Sequence, residues 1–461
     1  MLSHLSAGCA MALVIAPLSA QASRWIHPKP QVAPTPRHGH AMVFDSSRGQ
    51  VVLFGGATQK TFSQETWVLE GNRWTLRTPK TSPYAMFWHA MAYDEARREV
   101  VLFSSFGQGR LRETWTWDGT DWKQHVLSRS PTAVSDFAMA YDANRKRTVL
   151  FGGLNQPASE TWEWDGKLWH LVKPTPSPPG VYSHALAYDS IRKEVVLFGG
   201  YAAPNIPNQD TWTYDGRTWT KKSPQVSPPA RGMHAMTFDR HRGKILLFGG
   251  FLYPTRTALG DAWEWDGKLW SRLSLPGAPP ARWSFAMAYD AAAEEVVLFG
   301  GLGSGTPSPV IGDLWRLGHG PSASTQVYGA NCGTKPGVQL GAAPGSLPVL
   351  GDTLRVEIRG LPPTPGVGLL ALGSSRSLFL GLPLPLDLTP FGMKGCLLHQ
   401  DFQHSLVFAI QQGLGTQDLA IPYLGRLKGS RAYLQAFGVD RAATSSGLVS
   451  SNGLELRIGY R

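Results

Sequence analysis

Six times in this 461-residue chain a tryptophan is followed, 29 positions later, by a phenylalanine that opens a Phe-Gly-Gly or a variant of it. The pairs are Trp25 to Phe54, Trp74 to Phe103, Trp122 to Phe151, Trp169 to Phe198, Trp219 to Phe248 and Trp270 to Phe299, and the tryptophans recur every 47 to 51 residues. Such a period marks a repeat architecture, because one unit is too small to bury its own apolar face and has to stack on its neighbours.

Each unit reads as four short strands. In one of them, His184 to Asp189 is half apolar, Ser190 to Lys193 makes a turn, and Glu194 to Phe198 is a β-branched run ending in Gly199-Gly200, which permit a sharp exit. Asp210 to Tyr214 then alternates, Asp215-Gly216 supplies a tight hairpin, and Trp219 begins a fourth strand. Four antiparallel strands make a blade, and six blades around an axis make an all-β propeller with few exposed edges. In five units the third-strand tryptophan precedes a fourth-strand tryptophan by seven positions, as Trp212 precedes Trp219, whereas Trp315 has no such partner. Trp25 lies in a fourth-strand segment with no third strand before it, so Ser23 to His27 is expected to supply the outer strand of the last blade and close the ring.

All 17 tryptophans fall between Trp25 and Trp315, so the composition changes near Gly318. The reading divides the chain into a signal peptide (1–22), a propeller (23–318), a linker (319–326) and a C-terminal domain (327–461) whose short strands and Gly and Pro turns suggest a small antiparallel β-sandwich. The signal consists of an apolar stretch from Met11 to Leu18 followed by an Ala-x-Ala site ending at Ala22, and implies a secreted, periplasmic or cell-surface protein. No later segment is apolar over the roughly 18 to 20 residues that span a bilayer. After cleavage only Cys332 and Cys396 remain, and in an exported chain they are expected to form a disulfide, the alternative being two free buried thiols. The net charge of +11 is scattered without a long basic run, so nucleic acid is not expected as a partner.

The registered Phe-Gly-Gly, the acidic residue two before each third-strand tryptophan (Glu65, Glu113, Glu160, Asp210, Asp261, Asp313), the second tryptophan and the first-strand His-Ala-Met or His-Ala-Leu resemble the kelch-repeat family over about residues 23 to 318. Departures are local: Ser104-Ser105 for Gly-Gly, Phe137 and Phe285 for the histidine, Glu70-Gly71 for Asp-Gly. The blade pattern is similar to the central domain of galactose oxidase, whose copper site needs a tyrosine crosslinked to cysteine. This propeller has no cysteine once the signal is removed, so that crosslink is impossible. The C-terminal domain, through Tyr328 to Cys332, Gly395-Cys396 and Ser451 to Leu454, resembles domains appended to large secreted bacterial proteins, which implies surface or extracellular use.

Length variation is concentrated between Phe-Gly-Gly and the next strand, with intervals from phenylalanine to third-strand tryptophan of 13, 12, 11, 14, 15 and 16. Those loops and the loops entering each first strand emerge on one face, where binding is expected. The candidates there are Arg37, His38, Phe87, Trp88, Tyr182, Arg231, Arg282 and Trp283. Aromatics beside arginines suit sugar-ring stacking and acidic groups, while arginines at one repeat position equally suit pairing with the repeated acidic residues. His40, His89, His184 and His234 recur at the start of the innermost strand; the repeated position favours satisfaction within each blade over an axial metal site. No nucleophile elbow, His-Glu-x-x-His or phosphate-binding glycine loop is present, and no catalytic residue, metal or cofactor is expected. The sequence thus points to an exported, non-catalytic recognition module for a glycan or protein, the alternative being an extracellular carbohydrate-active enzyme on the same scaffold.

Overall fold

Strands of four or five residues with apolar side chains on both faces are stable only when flanked by strands and covered on each side. The repeats meet both demands. The computed structural model describes residues 23–104, 112–133, 135–154, 159–202, 204–253 and 255–318, and segments between 324 and 457. Cys332, Cys396 and the segment read as a signal peptide lie outside the described residues.

The described repeats form six antiparallel sheets, five of four strands and the last of five, where the short strand Arg282–Trp283 joins; they are blades 1 to 6 in chain order. Blade 4 is typical, running outward from the axis as Ala185–Asp189, Glu194–Phe198, Thr211–Tyr214 and Trp219–Lys222, with Leu197 opposite Trp212 and Tyr214 opposite Trp219. The second strand of each blade is the most deeply covered; Val51, Val52, Leu53 and Phe54 are all fully buried. The innermost strands touch in sequence, and that of blade 6, Ala286–Asp290, touches that of blade 1, Ala41–Asp45, so the blades form a ring. Blade 6 draws its outer strand, Arg24–Ile26, from the N-terminal end, with Trp25 opposite Leu317.

The repeated residues join blade to blade. The second glycine of Phe-Gly-Gly donates its N–H to a carbonyl of the following blade: Gly56 to Met86 at 2.8 Å, Gly200 to Arg231 at 2.8 Å, and Gly301 of blade 6 to Arg37 of blade 1 at 2.9 Å. A side chain at Gly55, whose φ is +68°, would place its Cβ 2.8 Å from the Met86 carbonyl oxygen, so both backbone sign and space require glycine. Farther out, the fourth-strand tryptophan donates to a threonine of the preceding blade: Trp122 to Thr66 at 2.9 Å, Trp169 to Thr114 at 2.8 Å, Trp219 to Thr161 at 3.0 Å and Trp270 to Thr211 at 2.9 Å. The equivalents of that threonine in blades 5 and 6 are Ala262 and Leu314, and the indole N–H groups facing them, on Trp25 and Trp74, find no acceptor among the described residues.

On the face opposite the variable loops, the Asp-x-x-Arg turns do more than turn the chain. Asp45 and Asp94 accept from Arg48 and Arg97 at 2.7 Å. Those arginines also reach the next blade's hairpin, donating to the carbonyls of Asp118 and Asp165 respectively. The described part of the C-terminal region, which the sequence led us to expect as a small antiparallel β-sandwich, holds an eight-stranded antiparallel sheet and two two-stranded ribbons, Leu378–Phe379 with Leu382–Pro383 and Leu386–Asp387 with Leu397–Leu398. Its edge strands Ser324–Tyr328 and Gln339–Ala342 approach each other, so the sheet curls around a core of Leu354, Val356, Ile358, Leu370, Leu434 and Leu454. Ile26 of the closing strand packs against that core.

Candidate functional site

The three arginines among the sequence candidates are drawn into the blades. Arg37, Arg231 and Arg282 are completely buried. Arg231 donates Nε to the Pro229 carbonyl at 2.9 Å, Nη1 to the Gly249 carbonyl at 3.0 Å, and both Nη1 and Nη2 to the Asp261 carboxylate at 2.6 and 2.8 Å. Arg282 repeats the pattern with Pro280, Gly300 and Asp313, and Arg37 with Thr35, Gly55 and Glu65. The acid in turn accepts the indole N–H of the third-strand tryptophan, as Asp261 does from Trp263 at 2.6 Å. Burial pushes the Asp261 carboxyl up, but the Arg231 guanidinium and the Trp263 donor outweigh it and hold the group below its ordinary value. Each arginine is thus a clamp between a Phe-Gly-Gly corner and the third strand, with no face presented to a ligand.

The aromatic candidates divide into two groups. His38 and Phe87 meet edge to face at 6.3 Å, and Phe87 stacks on Phe62 at 4.6 Å, forming a patch over blades 1 and 2. Tyr182 and Trp283 belong to a different feature, a cavity of about 290 Å³ on the variable face across blades 4, 5 and 6. Its walls carry five aromatic rings: Tyr182, Tyr201, Phe251, Tyr253 and Trp283. Tyr182 and Tyr201 lie 5.7 Å apart and Phe251 and Trp283 5.0 Å apart, both tilted, and Tyr201 meets Tyr253 edge-on at 6.4 Å. The Tyr201 hydroxyl donates to the Phe251 carbonyl at 2.6 Å, which ties blade 4 to blade 5 beneath the cavity, and burial raises that phenol to about 12. Asn205, Arg256 and Ser308 supply polar rim groups, with the Tyr182 hydroxyl donating to the Asn205 side-chain oxygen.

Local sequence explains this placement. The intervals after Phe-Gly-Gly are longest in blades 4, 5 and 6, at 14, 15 and 16 residues. In blades 5 and 6 the extra length extends the second and third strands into hairpins, Lys244–Leu252 with Thr257–Trp265 and Glu295–Gly303 with Val310–Gly318. A register shift after Phe248 and after Phe299 re-aims each hairpin, as β-bulges do. Gly232 lets the Tyr201 ring pass, since a Cβ there would lie 2.2 Å from its Cε2. Tyr201, Phe251 and Tyr253 were not among the sequence candidates; the growth of the interval was the signal that pointed to their loops.

Trp88 occupies a third setting, the axial mouth on the same face. The residue preceding each innermost-strand histidine or phenylalanine is Gly39, Trp88, Asp136, Ser183, Met233 or Ser284, and all six adopt left-handed φ values of 61°, 59°, 58°, 54°, 55° and 56°. Their amides link blade to blade around the axis: Trp88 N to Gly39 O at 2.8 Å, Ser183 N to Asp136 O at 2.7 Å, Met233 N to Ser183 O at 2.8 Å, Ser284 N to Met233 O at 2.9 Å and Gly39 N to Ser284 O at 2.8 Å. This collar encloses a depression of about 120 Å³ floored by the four histidines and by Phe137 and Phe285. Each floor ring packs on the Phe-Gly-Gly phenylalanine of the preceding blade, His184 on Phe151 at 5.7 Å and Phe137 on Phe103 at 5.2 Å. Burial holds all four imidazoles neutral, lowering His89 and His184 to about 3 and His40 and His234 well below the ordinary value. No group of three or more His, Cys, Asp or Glu side chains placed to hold a metal ion occurs among the described residues. Met233 lines both the collar depression and the aromatic cavity, so the two are adjoining parts of one surface.

The model of the KLHDC2/KLHL20/DRC7 Kelch-repeats domain matches residues 143–327, from the inner hairpin of blade 3 into the start of the C-terminal region. No curated protein matches the chain. The all-strand propeller is consistent with that match to kelch repeats, and kelch domains mediate protein interactions.

Proposed function

We propose that this protein is an exported, non-catalytic recognition module that captures a partner protein on the variable face of its propeller. The observation that carries this reading is the convergence of five aromatic rings from three adjacent blades on one cavity of about 290 Å³. Rings packed against one another, with Tyr201 also held by an inter-blade hydrogen bond, lose little freedom on binding and offer large contact areas, as interface hot spots do. The kelch match supports a protein as the partner, and the apolar stretch from Met11 to Leu18 before Ala22 supports export. A glycan is the second reading, favoured by the same tilted tyrosines and Trp283, whose faces suit a sugar ring.

Affinity capture of surface and secreted proteins with the mature chain, alongside a glycan array, tests both. Under this reading a protein is retained by the wild type and lost from Trp283→Ala and Tyr253→Ala, both of which should keep the native melt. Retention of a glycan with the same mutant dependence selects the second reading. Turnover of any captured molecule overturns the non-catalytic assignment, and capture indifferent to both substitutions removes the cavity from the site.

A further inference from the structure

Of the six residues on the axial collar, only Asp136 carries a charged side chain. Its carboxylate accepts from Ser135 Oγ at 2.8 Å and from Ser183 Oγ at 2.8 Å, and among the described residues no cationic side chain pairs with it. The buried carboxylates of four Asp-x-x-Arg turns differ from it: Asp45, Asp94, Asp142 and Asp189 each hold an arginine at 2.5 to 2.7 Å. A desolvated carboxylate with two hydroxyl donors and no counter-cation is costly to keep, and a ligand carrying positive charge would relieve it. The remaining lining has two characters. Trp88, Met233, Phe137 and Phe285 are apolar or aromatic, while Ser183 brings a hydroxyl beside Asp136 and Ser284 adds another on the opposite side of the collar.

We propose that the axial depression receives a lysine side chain of the partner protein, with the ammonium on Asp136 and the methylenes against Trp88 and Met233. This rests on the reading of the variable face as a protein-binding surface and names the group it takes at the axis. The chemistry matches on each count. A lysine ammonium has three donors and no acceptor, and the pocket offers the Asp136 carboxylate with the Ser183 hydroxyl oxygen beside it. An unbranched chain of methylenes suits a recess of only about 120 Å³ better than a planar guanidinium or a sugar ring does. An indole beside a cation adds a favourable electrostatic term. Because Met233 also lines the aromatic cavity, a partner segment seated there is placed to project one side chain into the collar.

The test uses the full mature chain and two blocked amino acids, Nα-acetyl-lysine methylamide and its Nε-acetylated form, titrated by ligand-observed NMR. The wild type should bind the first and not the second. Asp136→Asn should lose at least tenfold in affinity while melting no earlier than the wild type, since it removes a half-buried charge that no cation balances among the described residues; Ser183→Ala should lose severalfold. Equal binding of the two probes, undiminished binding by Asp136→Asn, or tighter binding of glucosamine than of the lysine probe overturns the assignment. A protein partner that depends on Trp283 and Tyr253 but not on Asp136 would leave the recognition function standing and remove the lysine alone.

Discussion

The threonine that receives each inter-blade tryptophan offers a direct measure of how the ring is held. Thr161 is fully buried, and its Oγ1 accepts from Trp219 Nε1 at 3.0 Å. Thr161→Val keeps the shape of the side chain but strands a buried indole N–H, a loss of about 1–3 kcal/mol. The extra buried methyl returns at most about 0.8 kcal/mol, so the sign remains destabilising. Ala262→Thr performs the reverse experiment, because Trp25 Nε1 lacks the acceptor that four other junctions possess. It should stabilise by about 1 kcal/mol, the net worth of one such hydrogen bond. Urea unfolding followed by far-ultraviolet circular dichroism reads both variants against the wild type. If Thr161→Val leaves the midpoint unchanged, or if both variants shift it down alike, the position acts through packing and the hydrogen-bond reasoning fails.

The collar histidines predict a stability that falls on acidification. An unfolded imidazole titrates near about 6.5, so between there and the folded value of about 3 for His184 the unfolded chain binds a proton that the folded chain refuses. The contribution is complete above the unfolded value and is lost as pH drops through it, at about 1.4 kcal/mol per pH unit for each histidine. His184→Phe, which copies the Phe137 and Phe285 blades, should flatten the dependence by that amount between about pH 6 and 4, as measured by urea midpoints; an unchanged slope would show that His184 is already charged. Removing residues 23 to 30 should broaden and lower the propeller's thermal transition, because Trp25 and its pairing with Leu317 close blade 6; an unaltered calorimetric peak would refute closure. Gly232→Ala should push the Tyr201 ring off Phe251 and weaken partner capture severalfold, with a native-like circular dichroism spectrum; undiminished capture would show that the cavity tolerates the shift.

The repeat was legible because its causes are local. Phe-Gly-Gly fixes a corner that only glycine can turn at Gly55, and Asp-Gly fixes hairpins at Asp165-Gly166 and Asp215-Gly216. The lone tryptophan at Trp25 carried the information that this segment is a fourth strand without a third. Functional positions were harder to read, for a physical reason visible in the arginines. Arg37, Arg231 and Arg282 stand in loops on the binding face, as exposed recognition residues would, yet each lies within 3.2 Å of a blade carbonyl or carboxylate oxygen and is fully buried.

Asp136 shows the converse. In sequence it is one aspartate in Ser135-Asp136-Phe137, indistinguishable from a turn residue. Only closing six blades around an axis brings it beside Ser183 of the next blade and onto the rim of a depression shared by all six. The sequence alone determined strand length, turn geometry, repeat number and the face on which loops vary, since these depend on residues within about one repeat of each other. The tertiary structure decided which loops converge and which charges are neutralised, because those outcomes depend on distances between repeats and on the loss of water at their junctions.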